Sequence, residues 1–387
     1  MTSTATIPVH RFAQLDSIRA IAAIMVVATH TSFWAGVYTR GTWGAATQRL
    51  EVGVAIFFVL SGFLLSRPYL MRARHGTSID PVRIYALKRA GRILPVSVLT
   101  VVAAFLLLES NDGFGWDRFF LNLTLTDFFV HYQLPFGLTQ LWSLSVEASF
   151  YLVLPLIGVG LLVRAWRPIL TMGLLVAAGL LGIVYLGVTT AHGEALASRW
   201  LPSYFLWFAL GIVLAIVEID DGGSRLTRAL QRWFTDRTAC WLLAVALFVV
   251  ISTPIGGSPL LVAHTASEMV LRHLFYAAIA LLIVAPCVFA TSDTCARVLS
   301  HPWLRHLGHT SYALFCCHVI VLELVMNGVR YELFSAPPLP LFLLVLAVSL
   351  VVAEILYRFV EKPVIDAVHR RAKAARATAP KATAAKN

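Results

Sequence analysis

The chain has 387 residues, of which 58% are hydrophobic and only 13% charged, with a formal net charge of +11 and a mean hydropathy of +0.77. Soluble domains carry about a quarter charged residues, so this balance excludes an ordinary soluble protein and indicates one that crosses a membrane several times. Nor is the surplus of Lys and Arg a nucleic-acid footprint, because the basic residues fall in short gaps between apolar runs and in the C-terminal tail, where positive-inside topology puts them. The five cysteines, Cys240, Cys287, Cys295, Cys316 and Cys317, form no CxxC pair and read as small apolar fillers, so no metal site is expected.

Crossing about 30 Å of hydrocarbon takes roughly 20 apolar residues. On that measure the expected spans are 15–33, 51–70, 91–108, 142–163, 168–188, 201–218, 239–254, 270–290, 311–328 and 339–360. The expected fold is all-α, a polytopic membrane bundle of about ten transmembrane helices. The first span is followed by bulky Phe33 and Trp34 instead of a small-residue cleavage site, so it reads as retained. Phe119 to Val130 is too short to cross and is broken by Asn122 and Asp127, which predicts an interfacial or re-entrant piece.

Orientation follows from the gaps. The gap after the second span holds Arg67, Arg72, Arg74, Arg83, Lys88, Arg89 and Arg92, whereas the next holds Glu109, Asp112, Asp117 and Asp127 against a lone Arg118. The basic gap is placed in the cytoplasm, and alternation then puts both termini there. Three parts result: a cytoplasmic N-terminal segment 1–10, a transmembrane domain 11–365, and a basic tail 366–387 expected to be disordered near anionic lipid. Neither a solenoid repeat nor the paired broken helices of many transporters is visible.

Within the first span, Arg19 and His30 are eleven residues apart, so they share one helix face roughly 16 Å apart. Ionisable groups at such depth usually face a protein interior or an aqueous cavity; the alternative is that Arg19 snorkels to the inner interface and His30 marks the outer one. In the second span, Ser61-Gly62 lies mid-membrane, suited either to close helix packing or to offering a hydroxyl. Arg89 and Arg92 share a face at the entry of the third span. Clustered guanidinium groups of this kind suit phosphate, on a ligand or on lipid headgroups.

In LWSLSVEASFYLVLP, Ser143, Glu147 and Tyr151 follow at i, i+4 and i+8, a face with a hydroxyl, a carboxylate and a phenol. Topology assigns Glu147 the level of His30, so the two are expected to pair. Such a carboxylate would orient an imidazole base, or simply bridge helices. Tyr312 and His318 add polar groups to the ninth span, while Glu361-Lys362-Pro363 closes the last.

Taken together and in order, these stretches resemble the acyltransferase-3 family of integral-membrane O-acyltransferases. The family's arginine, ten residues, histidine motif corresponds to Arg19 and His30, and its FFxLSGF element to Phe57, Phe58, Leu60, Ser61, Gly62 and Phe63. The basic stretch before a proline corresponds to Arg89, Arg92 and Pro95, and WSLSxE to Trp142, Ser143, Leu144, Ser145 and Glu147. The late elements correspond to Gly308, Ser311, Tyr312, His318, Glu361 and Pro363. Ser17, Ala20 and Ala148 depart from the usual family residues without touching the matched reactive groups.

The resemblance implies transfer of an acyl group, expected to be acetyl, from acyl-CoA as donor substrate to a hydroxyl of a glycan, glycolipid or other glycosylated acceptor. The setting would be the lipid bilayer of a bacterial cytoplasmic membrane. Arg19, Arg89 and Arg92 would hold the CoA phosphates, His30 would act as general base or transient acyl carrier, and Glu147 would orient it. Supporting or oxyanion roles fall to Ser61, Ser143, Ser145, Tyr151, Tyr312 or His318. Some members carry a further SGNH-type domain; this chain matches the membrane part, which implies direct delivery or hand-over to a separate protein. The competing functions are acylation of a small diffusible acceptor such as a macrolide, and transport of acyl groups or glycolipids without covalent chemistry.

Overall fold

The structure is a computed structural model that describes residues 12–258, 264–289 and 293–378. The segment 1–10 and the tail lysines Lys381 and Lys386 lie outside the described residues. Among the described residues every regular element is helical. In chain order the α-helices are α1 (Ala13–Trp34), α2 (Gly41–Arg49), α3 (Val52–His75), α4 (Val82–Leu107), α5 (Trp116–Leu123), α6 (Asp127–Val130), α7 (Leu141–Ile157) and α8 (Pro168–Ala191). They continue with α9 (Leu201–Asp220), α10 (Arg225–Thr235), α11 (Arg237–Ile251), α12 (Ala266–Phe289), α13 (Thr294–Leu299), α14 (Pro302–Val329), α15 (Pro338–Leu356) and α16 (Lys362–Thr378).

Nine helices among the described residues, some extended by an adjoining turn, are long and apolar enough to cross a membrane, and the pair α10 and α11, bent by 80°, makes a tenth candidate. The expected spans and this set agree in order and position. The weakest is α11, only 15 residues long, whose start is fixed by Asp236 accepting from the Ala239 amide. This is a multi-pass integral membrane protein.

Close packing of α3 on α9 is the central contact. A methyl added to Gly62 would stand 2.1 Å from the Phe208 carbonyl oxygen, and one added to Gly211 would stand 2.1 Å from that of Val59. Small residues facing each other let the two backbones touch, which is how helices gain contact in lipid. Around this pair one apolar core forms with α7, α8 and α12, and a second joins α1, α4, α14 and α15. Phe57 and Tyr151 pack against both, so the seam between the cores runs past the predicted site residues.

Two features depart from expectation. The Phe119 to Val130 piece is short helices α5 and α6, as foreseen, but the chain after it does not stay at the surface. Leu138 and Gln140 are buried, and the Gln140 side-chain amide donates to the Cys316 carbonyl at 2.6 Å, midway along α14. The start of α7 is therefore sunk inside the protein. At the other end, residues 366–378, expected to be disordered, continue α16. Their Ala, Lys and Arg content favours helix, and Val368 and Ala372, spaced i, i+4, bury an apolar stripe with Val368 against Gly91 of α4.

Candidate active site

Helices α1, α3, α4, α7 and α14 enclose a first cavity of about 260 Å³ at the seam. Arg19 reaches it from α1, and Arg89 and Arg92 reach it from adjacent turns of one face of α4. Among the described residues none of the three arginines has a carboxylate within 4.0 Å. Arg89 does lie over the Tyr151 ring, 5.8 Å from its centroid. Three guanidinium groups round one cavity outnumber its single carboxylate, Glu147, and pair closely with none, so the surplus positive charge suits an anion, whose arrival relieves the repulsion of like charges.

Glu147 faces the same cavity, where it accepts hydrogen bonds from the Ser61 hydroxyl and from the Tyr151 hydroxyl at 2.7 Å. The expected pairing of Glu147 with His30 is therefore not what the structure forms. The reason lies in the sunken start of α7: the expectation assumed that this helix begins at the outer surface, whereas it begins deep, carrying Glu147 further from the His30 end. Ser143, Ser311 and Tyr312 complete the polar wall, with the Tyr312 hydroxyl donating to the Ile93 carbonyl at 2.7 Å. Ser145 does not join them; its hydroxyl donates to the Leu141 carbonyl of its own helix and is buried.

His30 opens on a second, larger cavity of about 620 Å³, bounded by Trp34, Trp142, Gly137, Glu323 and neighbouring residues. Its partner is His318, whose Nε2 stands 3.2 Å from His30 Nδ1. The protons can be assigned from the acceptors around them. His318 Nδ1 faces the Phe315 carbonyl at 2.8 Å, and His30 Nδ1 faces the Val26 carbonyl at 2.9 Å. A carbonyl only accepts, so both Nδ1 atoms carry hydrogen. His318 Nε2 then holds a lone pair turned to His30 Nδ1–H, and His30 Nε2 keeps its own lone pair. An imidazole held in one tautomer with Nε2 unprotonated is a general base in the correct state.

Aromatic rings stand between the cavities. Phe57 and Phe315 both line the first, their rings pack edge to face at 6.0 Å, and Phe315 is 5.9 Å from the His318 ring. Sequence reasoning named Phe57 only as part of the FFxLSGF element and gave it no role, and it passed over Phe315 and Glu323, a buried carboxylate in α14 that accepts from Ser110 at 2.7 Å. Apolar rings give no signal among 58% hydrophobic residues. Glu323 did give one, since a carboxylate inside an apolar span needs a partner. Glu361 is likewise buried, at the end of a π-helical turn over Tyr357–Glu361.

Comparison with known proteins identifies the family. A family model described as an acyltransferase domain matches residues 12–358, and the chain belongs to this acyltransferase-3 family. Among named proteins, it is 25% identical over 378 residues to the peptidoglycan O-acetyltransferase OatA of Listeria monocytogenes, covering 90% of this chain and 55% of that one. It is 26% identical over 393 residues to YrhL of Bacillus subtilis, named as a candidate for the same activity, covering 92% of this chain and 55% of YrhL. A candidate O-acetyltransferase of Staphylococcus aureus is 24% identical over 371 residues, covering 90% of this chain and 56% of its own length. The chain thus spans little more than half the length of the relatives it matches. No solved structure matches it.

Proposed function

We propose that this protein is a membrane O-acyltransferase that takes an acyl group, acetyl in the first instance, from acyl-CoA and places it on a hydroxyl of a glycan or glycolipid of the cell envelope. The observation that carries the reading is the pairing of two cavities along α1, one with three arginines against a single carboxylate and one with a histidine base. Arg19, Arg89 and Arg92 bind the phosphates of CoA through charge-assisted hydrogen bonds. The pantetheine arm extends from there along the polar wall of Ser61, Glu147 and Tyr151, where the carboxylate accepts from amide N–H groups. Arg19 and His30 are separated by roughly 16 Å of helix, a span suited to an extended arm whose thioester ends at His30 after Phe315 turns aside.

At that point the acceptor hydroxyl attacks the thioester carbonyl while His30 Nε2 takes its proton. The tetrahedral intermediate expels the CoA thiolate as the C–S bond breaks, and the thiolate receives the proton from the imidazolium. His318 acts as a positioning residue. Its Nε2 lone pair accepts from His30 Nδ1–H and so steadies the positive charge that develops on His30, the part a carboxylate plays in other base pairs. The peptidoglycan named for two relatives makes a glycan of the wall the leading acceptor. On the topology read from basic gaps, the arginine cavity opens to the cytoplasm, where acyl-CoA is made, and the histidine cavity faces outward.

The test uses membranes containing the full chain, labelled acetyl-CoA and a glycan acceptor. His30→Ala is expected to accumulate in the membrane like the parent yet form no acylated product above background. Near-normal transfer by that variant overturns the assignment.

A further inference from the structure

A third cavity, of about 110 Å³, lies beside the histidine cavity and shares Trp142 with it. Its walls come from the N-terminal parts of α3, α7, α9 and α12, the ends that lie beside the His30 end of α1. Trp142, Tyr204 and Trp207 supply aromatic faces, and Glu51, Arg272 and His273 supply the polar groups. None of the three polar residues figures in the acyl-transfer chemistry above.

The polar groups are held from behind; Glu51 stays accessible, and Arg272 and His273 each keep a buried nitrogen without a partner. Glu51 accepts from the Tyr276 hydroxyl at 2.9 Å and has Arg272 Nη1 at 3.7 Å, while 38% of its side chain is still accessible. Arg272 donates to the Gly256 carbonyl at 3.1 Å, yet its Nε is buried with no acceptor. His273 stacks on Trp207 with centroids 5.0 Å apart, and its Nδ1 is engaged by the Met269 carbonyl at 2.9 Å. Its Nε2 is buried without a partner, on a residue only 4% exposed. A buried polar atom without a partner is costly, so two on residues lining one small cavity mark a place where a ligand supplies the missing groups.

We propose that the cavity framed by Trp142, Tyr204, Trp207, Glu51, Arg272 and His273 is the subsite for one sugar ring of the acceptor, seated so that an adjoining hydroxyl projects past Trp142 to His30. A pyranose ring has C–H faces that lie against aromatic rings and a rim of hydroxyls that both donate and accept. Glu51 accepts from that rim, Arg272 donates to it, and His273 Nε2 takes a hydroxyl proton into a hydrogen bond. A free anion fits poorly beside the Glu51 carboxylate, and an acyl chain would leave the three polar groups unpaired. This inference rests on the O-acyltransferase reading, since it assigns that enzyme's acceptor.

The experiment uses full-length protein in detergent or nanodiscs and a soluble N-acetylated amino-sugar disaccharide as probe. Saturation-transfer NMR reports sugar binding without any chemistry, and acyl transfer to the same disaccharide gives separate KM values for donor and acceptor. Glu51→Gln keeps the Tyr276 contact, and His273→Gln keeps a polar side chain; either is expected to raise the acceptor KM about tenfold and to weaken sugar contact. The acetyl-CoA KM should stay within about twofold, the size of change that marks an untouched binding step. Tyr204→Leu, which removes one aromatic face and leaves the polar groups in place, serves where either variant loses monodispersity. If the parent acylates the sugar and these variants bind it as the parent does, the subsite is overturned and the transferase reading stands. Should the donor KM rise as much as the acceptor KM, the residues hold the fold and the subsite is again overturned. Sugar bound through these residues without any acyl transfer would instead remove the proposed reaction and keep the subsite.

Discussion

The arginine cavity and the histidine cavity lie along the same helix, α1, but their polar groups are treated in opposite ways. Around the first, three guanidinium groups face a single carboxylate, Glu147, which is held by Ser61 and Tyr151 and forms no ion pair with them among the described residues, so the cavity keeps a surplus of positive charge until an anion enters. In the second, the two imidazoles are tied to backbone carbonyls and to each other, leaving one lone pair, on His30 Nε2, for use. A binding site is made by withholding partners, and a proton-transfer site by supplying all but one of them.

That contrast can be broken or sharpened by substitution. The largest effect is expected at His30, where His30→Ala removes the base and should lower kcat for transfer by about 10²–10⁴-fold; acetyl-CoA affinity measured by equilibrium binding should be preserved. Next come Arg89→Gln and Arg92→Gln. Each loses charged hydrogen bonds of about 1.5–3 kcal/mol, so the KM for acetyl-CoA should rise roughly tenfold or more while kcat changes far less. An equal fall in kcat for the arginine variants would erase the division between donor grip and base.

A smaller effect is expected at His318. His318→Phe removes the acceptor for His30 Nδ1–H and should lower kcat about tenfold without moving either KM, on the scale of one hydrogen bond to a charged group. His318→Gln, whose amide oxygen can accept, should recover part of the loss, and that rescue separates positioning from packing. The smallest effect is expected at Ser145, which lines neither cavity. Ser145→Ala should leave transfer and thermal stability within about the effect of one local side-chain to backbone hydrogen bond, well under 1 kcal/mol. A large loss there would mean that the α7 hydroxyls act together, against the geometry of Ser143 and Ser145.

Much was fixed by sequence alone because the bilayer leaves few choices. Backbone groups in hydrocarbon must be satisfied within a helix, so the length and hydropathy of each run decide that it is a helix and nearly where it ends. The eleven-residue interval decides that Arg19 and His30 share a face of α1, and the i, i+3 interval does the same for Arg89 and Arg92. Glu147 shows the limit. Its place on a face of α7 with Ser143 and Tyr151 was legible from the same periodicity, but its depth was not, because depth depends on where α7 starts relative to α14. That start is set by the Gln140 bond to Cys316, between residues far apart in the chain. The pairing of His30 with His318, the Phe57 and Phe315 rings between the cavities, and the convergence of Glu51, Arg272 and His273 are likewise products of helices meeting across the bundle. Periodicity assigns each residue a side of its own helix; only packing decides what stands opposite, at what depth, and whether a buried polar atom finds a partner or is left waiting for one.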